Sequence, residues 1–305
     1  MSNNPQNAAT APDSPVRRSY LFVPGARPDR FAKALGAGAD AVIIDLEDAV
    51  APGDKDSARA AVCAFLLEHT GAGGPAVFVR TNSVRSRTGL LDILALTDLP
   101  DGAAPRWAGI LLPKVDGAED VRLAAGLLDE RNLPGALGAL IESADGLENV
   151  MAIAAASPRL SFLMFGGGDL SAELRVPLAW EPLVQARTRI VHAAARFGLD
   201  ALDMPWIALD DEEGYRQELA RSVLHGFTAR SAIHPKQITA IHDAYTPSPE
   251  AVLRAGRVLA TFEAAGGGVC VLDGKLVERP LVLGAHRILA LARRAGMREP
   301  GVGRS

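Results

Sequence analysis

From residue 19 onward the apolar residues follow two rhythms in turn. Short apolar runs rich in Val, Ile, Leu and Phe occupy 19–25 (SYLFVPG), 41–47 (AVIIDLE), 75–82 (PAVFVRTN) and 107–114 (WAGILLPK). Four more occupy 135–143 (GALGALIES), 160–167 (LSFLMFGG), 201–208 (ALDMPWIA) and 226–233 (GFTARSAI). Between them the apolar positions switch to helical spacing, as in 30–39, 55–69, 118–131 and 212–225. Nearly continuous apolar runs suit strands covered on both faces. Strands alternating with helices predict βαβ units and a parallel sheet. Eight such units in roughly 250 residues predict an α/β fold of the TIM (β/α)8 barrel type. A doubly wound open sheet is the runner-up. For a dinucleotide it would carry a GxGxxG turn, which GGG at 166–168 and 266–268 does not provide, and the GxxxxGK[ST] phosphate loop is absent as well.

Past the eighth unit, 246–267 predicts a helix begun by a Ser/Pro turn and stopped by glycines. Residues 269–296 then predict a strand, a turn at Asp273-Gly274, a second short strand and a last helix. The expected organisation is a disordered tail over 1–16, the barrel over 17–247, and a C-terminal helical and β-hairpin extension over 248–305, surplus to the barrel and of the kind that caps a site or joins subunits.

Composition narrows the class. The 305 residues are 48% hydrophobic with a formal net charge of -4, enough apolar material for a large core. Acids and bases are interspersed, so no basic stripe points to nucleic acid, and the apolar runs are far too short to span a membrane. The two cysteines, Cys63 and Cys270, form no CxxC pair and read as small packing residues of a reducing compartment. The first residues lack the basic and apolar segments of a signal peptide, so the expected location is cytoplasmic.

Candidate chemistry lies at the strand ends, where barrels of this kind place their catalytic groups. In order these are Asp45, Glu47 and Asp48; Arg80 and Asn82; Lys114; Glu142 and Ser143; Asp169 behind a glycine triplet; Asp203; then Arg230 and His234. Three carboxylates within 45–48 are costly to bury beside one another without compensation. A divalent cation would supply it, and oxygen ligands without His or Cys favour a hard ion, Mg²⁺ or Mn²⁺. Glu142 and Asp169, ending strands five and six, are the best-placed pair. The competing reading makes each strand-end acid a helix cap or an arginine partner. In FGGGDL the glycines let a backbone approach a ligand and offer N–H groups to an anion. Arg80 fits bidentate carboxylate recognition or a structural bridge to Asp45 or Glu47. Lys114 reads as a charge partner ahead of a Schiff-base nucleophile, and His234 stands open between a structural role and a place in the mouth.

These segments resemble a known family. RSYLFVPG, AVIIDLEDAV, VRTN, LLPK, LIES, FGGGDL and AIHPKQI occur here in the order found in citrate lyase β-subunit-like (CitE-like) lyases of the HpcH/HpaI aldolase superfamily. That group includes malyl-CoA, β-methylmalyl-CoA and citramalyl-CoA lyases, and the resemblance spans roughly residues 17 to 295. It implies a TIM barrel, a homotrimer or hexamer, and Mg²⁺ at the mouth. It implies that Glu142 and Asp169 hold the metal, with Arg80, Gly167 and Gly168 at the keto-acid carboxylate. Glu47 and Asp48 would support metal-bound water and Arg80. Where family members carry GKMIDxP, whose Asp serves a neighbouring subunit as acid/base, this chain reads GKLVERP and places Glu278 there. Arg230 stands where the family often has Lys. The implied activity is reversible cleavage of a β-hydroxyacyl-CoA thioester to acetyl-CoA or propionyl-CoA and an α-keto acid. The alternatives are a citryl thioester lyase subunit working on an acyl carrier protein, and a thioester hydrolase.

Overall fold

The computed structural model describes residues 17–69, 73–99 and 107–297; the expected tail over 1–16 lies outside them. Chain contacts divide the described residues into a unit over 17–241 and a second over 242–297.

The first unit is a closed barrel of eight parallel strands in sequence order. They are β1 (Ser19–Pro24), β2 (Ala41–Asp45), β3 (Ala76–Arg80), β4 (Gly109–Leu112), β5 (Ala136–Ile141), β6 (Leu160–Phe165), β7 (Asp200–Asp203) and β8 (Ala229–Ala232). Closure is made by β8 against β1, with Ser19 opposite Arg230 and Leu21 opposite Ala232. The eight apolar runs therefore are the eight strands, and the barrel expectation holds. Helical stretches Lys55–Glu68, Ala118–Glu130 and Glu212–His225 sit where the 3.6-residue spacing put them. An 18-residue helix, Trp180–Phe197, joins β6 to β7.

Alternate strand residues face inward. The interior is filled by Tyr20, Ala41, Ile43, Phe78, Leu111, Leu140, Phe162, Met164, Leu202 and Ala229. Tyr20, Phe78 and Phe162 meet with ring centroids 5.3–5.9 Å apart. Gly138 makes room for them, since a Cβ there would lie 2.1 Å from the Phe162 ring. This plug closes the barrel and forms the floor beneath the next inward layer. Two residues further along, the same face carries Asp45, Arg80, Glu142, Gly166 and Met204.

The second unit pairs helices Pro249–Ala264 and Arg279–Arg294 over Val252, Ala255, Val258, Val282, Ala285 and Leu289. A hairpin of β9 (Cys270–Leu272) and β10 (Lys275–Val277) turns through Asp273 and Gly274, both at positive φ (51° and 72°). A two-residue hairpin of this twist needs both central residues left-handed, which Asp-Gly supplies. No described helix is long and apolar enough to cross a membrane.

Candidate active site

The acid cluster that ends β2 is a built turn. Asp45 is 2% exposed, and its two oxygens accept the N–H groups of Glu47 (2.8 Å) and Ala49 (3.2 Å). Register pairs Asp45 with Arg80 on β3. Both side chains face the mouth, and they meet as a fork: Arg80 Nε to Oδ1 at 2.7 Å and Nη2 to Oδ2 at 2.6 Å. Arg80 Nη1 lies 2.8 Å from Glu47 Oε2 and 3.4 Å from Asp48 Oδ2. The guanidinium also rests over the Phe22 ring. Burial alone would lower the pKa of Arg80, but Asp45, Glu47 and Asp48 outweigh it and hold the group charged. The bridge to Asp45 or Glu47 weighed for Arg80 is thus present with both acids. Of the two, Asp45 is the residue that fixes Arg80, through the forked pair. Lys55 steadies the turn from below, donating to the carbonyls of Leu46 (2.9 Å) and Glu47 (2.6 Å).

Glu142 ends β5 and is 5% exposed. Its Oε1 accepts the backbone N–H of Lys114 at 2.7 Å. Gly166 lies alongside, where a Cβ would fall 2.3 Å from Glu142 Cβ, so only glycine lets the carboxylate lie against β6. Burial, then the charges of Glu47 and Asp169, push the Glu142 carboxyl up to about 8. Burial likewise raises Glu47 against the pull of Arg80.

The glycine triplet opens the helix Gly167–Leu174, with Gly166 as its N-cap residue and Asp169 in its first turn. N–H groups in a first turn have no intrahelical acceptor, so those of Gly167, Gly168 and Asp169 are available to an anion. Gly167 is required by space, because a Cβ there would be 2.4 Å from Met204 Sδ, whereas Gly168 faces open space. Met204 also lines a cavity of about 240 Å³ with Leu178, Trp206 and Ile207. The Asp169 side chain is half exposed, with Oδ2 3.9 Å from Lys114 Nζ. That ammonium also reaches Glu47 Oε1 (3.0 Å) and Asp48 Oδ1 (3.9 Å). Burial would lower its pKa, but Glu47, Asp48 and Glu142 together raise it. Lys114 is therefore a charge partner, not a neutral amine poised for a Schiff base.

Asp45, Glu47, Asp48, Glu142 and Asp169 thus gather round Arg80 and Lys114, with Lys55 at the edge. Carboxylates remain in excess, and two of them, Glu47 and Asp169, add to the burial that raises Glu142. A divalent cation fits the donors: hard oxygens only, with Glu142 just past the end of β5 and Asp169 in the helix that follows the adjacent β6. Among the described residues no group of three or more His, Cys, Asp or Glu is assembled to hold a metal. Two protein carboxylates with water and substrate oxygens completing the shell is the usual arrangement for Mg²⁺.

Two strand-end residues, Asp203 and Arg230, are not in the mouth, and His234 serves a turn. Asp203 and Arg230 each stand one residue past an inward position, so they face outward and are fully buried. Asp203 pairs with Arg187 and Arg230 at 3.3 Å, and Arg230 also bridges to Glu218. His234 is exposed and caps a turn, its Nδ1 accepting the N–H of Lys236 at 3.1 Å. Glu278 belongs to the second unit. It is exposed, stands at the start of helix Arg279–Arg294, and its side chain does not cap that helix. Cys63 and Cys270 are unpaired and half-buried, and burial pushes the Cys63 thiol up, away from nucleophilic use.

Comparison with known proteins agrees with this fold. A family model described as HpcH/HpaI aldolase/citrate lyase matches residues 18–235. A (3S)-malyl-CoA thioesterase of Cereibacter sphaeroides is 38% identical over 280 residues, covering 90% of this chain and 94% of the relative. An L-malyl-CoA/beta-methylmalyl-CoA lyase of the same organism is 34% identical over 297 residues, covering 88% and 92%. Among solved structures, CitE from Mycobacterium tuberculosis in complex with magnesium, acetoacetate and coenzyme A superposes with a TM-score of 0.73 at 33% identity, covering 92% of this chain and 98% of that one.

Proposed function

The chain belongs to the HpcH/HpaI aldolase/citrate lyase family, and from that premise we propose a Mg²⁺-dependent carbon–carbon lyase that cleaves a β-hydroxyacyl-CoA thioester to an acyl-CoA and an α-keto acid. The observation that carries this reading is the junction of Glu142 and Asp169 with the clamped Arg80 at one barrel mouth. It joins a place for a hard cation to a place for a carboxylate, the two groups an α-hydroxy acid presents.

Glu142 and Asp169 would hold the ion, which when bound supplies Lewis acidity at the substrate's hydroxyl oxygen. Arg80 grips the adjacent carboxylate. Its Nε and one Nη2 hydrogen are committed to Asp45, so its orientation is set before substrate arrives. First-turn N–H groups of Gly167 and Gly168 donate to the same carboxylate. Glu47 and Asp48 keep Arg80 and Lys114 in place. In the reaction the hydroxyl proton passes to water, the O–H electrons form the keto carbonyl, and the bond to the thioester α-carbon breaks with its electrons kept on that carbon as the enolate. That α-carbon then needs a proton. Glu278 of a neighbouring chain in a homotrimer or hexamer is the proposed donor, and the acceptor in the condensation direction. Mn²⁺ suits the same ligands.

Two other readings have a specific motive. One of the relatives is named a thioesterase, and solved structures include one titled citrate lyase beta subunit complexed with oxaloacetate and magnesium, from M. tuberculosis. Purified protein with Mg²⁺ and malyl-CoA, citramalyl-CoA or β-methylmalyl-CoA separates them when free thiol and keto acid are followed independently. Keto acid without thiol is the expected result. Thiol without keto acid makes the protein a hydrolase. Silence on all three, with turnover of a citryl thioester of an acyl carrier protein, makes it a citrate lyase β subunit.

A further inference from the structure

Lys114 follows Pro113 at the end of β4 with φ of +50°, a left-handed conformation that a lysine adopts only against a steric cost. The consequence of that turn is twofold. Its backbone N–H is aimed at Glu142 Oε1, 2.7 Å away. Its ammonium lies 3.0 Å from Glu47, and 3.9 Å from both Asp48 and Asp169. One residue thus touches one proposed metal carboxylate through its main chain and stands beside the other through its side chain. The side chain is 46% exposed, in contrast to Arg80, whose side chain is 11% exposed and forked onto Asp45.

We infer that Lys114 is a positioning residue of this mouth, whose ammonium offsets part of the negative charge of Glu47, Asp48 and Asp169 and competes with a divalent ion for Asp169. The inference rests on the reading of Glu142 and Asp169 as the cation site. A singly charged ammonium is compact, strongly hydrated and mobile on four methylenes, so it is suited to a reversible stand-in. It cannot stay against Asp169 beside a divalent ion without like-charge repulsion. The affinity of the site for the ion is therefore set against a built-in competitor.

The test uses the full-length, metal-stripped protein and Mg²⁺ alone, titrated calorimetrically, with thermal melts of the metal-free state. Lys114→Asn removes the charge, keeps the N–H to Glu142, and places a residue tolerant of left-handed backbone. Lys114→Gly is a second charge-free variant in which the backbone cost is relieved. Both are expected to bind Mg²⁺ at least tenfold more tightly than the wild type and to melt at lower temperature without metal. Lys114→Arg, which keeps the charge, is expected to bind within threefold of wild type. A general packing defect would weaken Mg²⁺ binding, not tighten it. Unchanged or weaker binding by folded Lys114→Asn and Lys114→Gly overturns the inference. Wild-type binding that persists in Glu142→Gln and Asp169→Asn overturns the cation-site reading beneath it. If no variant and no wild-type protein binds Mg²⁺, both are overturned. Binding lost with either carboxylate but indifferent to Lys114 overturns the inference alone.

Discussion

Two side chains show how the mouth divides its labour. Arg80 is held at both ends of its fork by Asp45, so a lysine in its place cannot keep the geometry even though it keeps the charge. Arg80→Lys is expected to lower kcat/KM by about 10²-fold, with a higher KM for keto acid in the condensation direction. Steady-state kinetics in both directions check it, and an unchanged keto-acid KM would place the carboxylate elsewhere. Glu142 makes the opposite kind of statement. Burial and neighbouring acids raise its carboxyl from 4.5 to about 8, so the folded metal-free chain holds its proton more tightly than the unfolded one. The stability it contributes is full below the unfolded pKa and is lost as pH rises through the folded value. Metal-free wild type should thus lose melting temperature relative to Glu142→Gln between pH 5.5 and 8.5, and excess Mg²⁺ should close the gap. Melts at several pH values decide it; a gap that does not change with pH would mean the carboxyl is not strained.

At the scale of elements, strand parity explains what the sequence revealed and what it hid. The eight apolar runs and the order of their polar ends were legible because a parallel strand covered on both faces leaves an unbroken apolar signature. The same lack of alternation hid which polar end residue faces the mouth. Asp203 and Arg230 looked equivalent to Glu142 and Arg80 but stand one residue out of phase, and they serve a buried ion network with Arg187 and Glu218. Asp45 was visible as an acid, yet its role depends on the β2–β3 register that sets it beside Arg80. Nor could composition tell the three glycines apart. A Cβ at Gly166 would collide with Glu142, while one at Gly168 meets nothing. Gly166→Ala is therefore expected to abolish Mg²⁺ binding and turnover, and Gly168→Ala to leave the fold and Mg²⁺ affinity intact. Parallel calorimetry on the two variants tests this directly. Equal behaviour would show that the strand can shift enough to readmit Glu142.

For the whole molecule the open matter is the proton. In the proposed reading the barrel unit would hold a cation, a carboxylate and the substrate's hydroxyl, with no group of the same mouth given the task of protonating the departing carbon. The acids there have partners: Asp45 and Asp48 with Arg80, Glu47 with Arg80 and Lys114, Glu142 with the Lys114 N–H, and Asp169 beside the Lys114 ammonium. Glu278, exposed and not capping its own helix, is a carboxylate without such an engagement assigned to it. Glutamate in the aspartate position extends the side chain by one methylene, which moves its oxygens by roughly 1 Å, a displacement large enough to cost ~10²-fold if nothing compensates. Glu278→Gln is expected to lose at least 10²-fold in turnover while retaining Mg²⁺ and keto-acid binding, and Glu278→Asp to stay active. If the group is contributed by another copy of the chain, two dead variants should rescue each other. Co-expressed Glu278→Gln and Asp169→Asn chains, purified through distinct tags as mixed oligomers, should regain part of the wild-type activity, because some mouths then combine an intact metal pair with an intact Glu278. Mixed oligomers that stay inactive while each variant alone is folded would confine the acid/base to the chain that owns the mouth. Full activity in Glu278→Gln would remove Glu278 from the chemistry altogether.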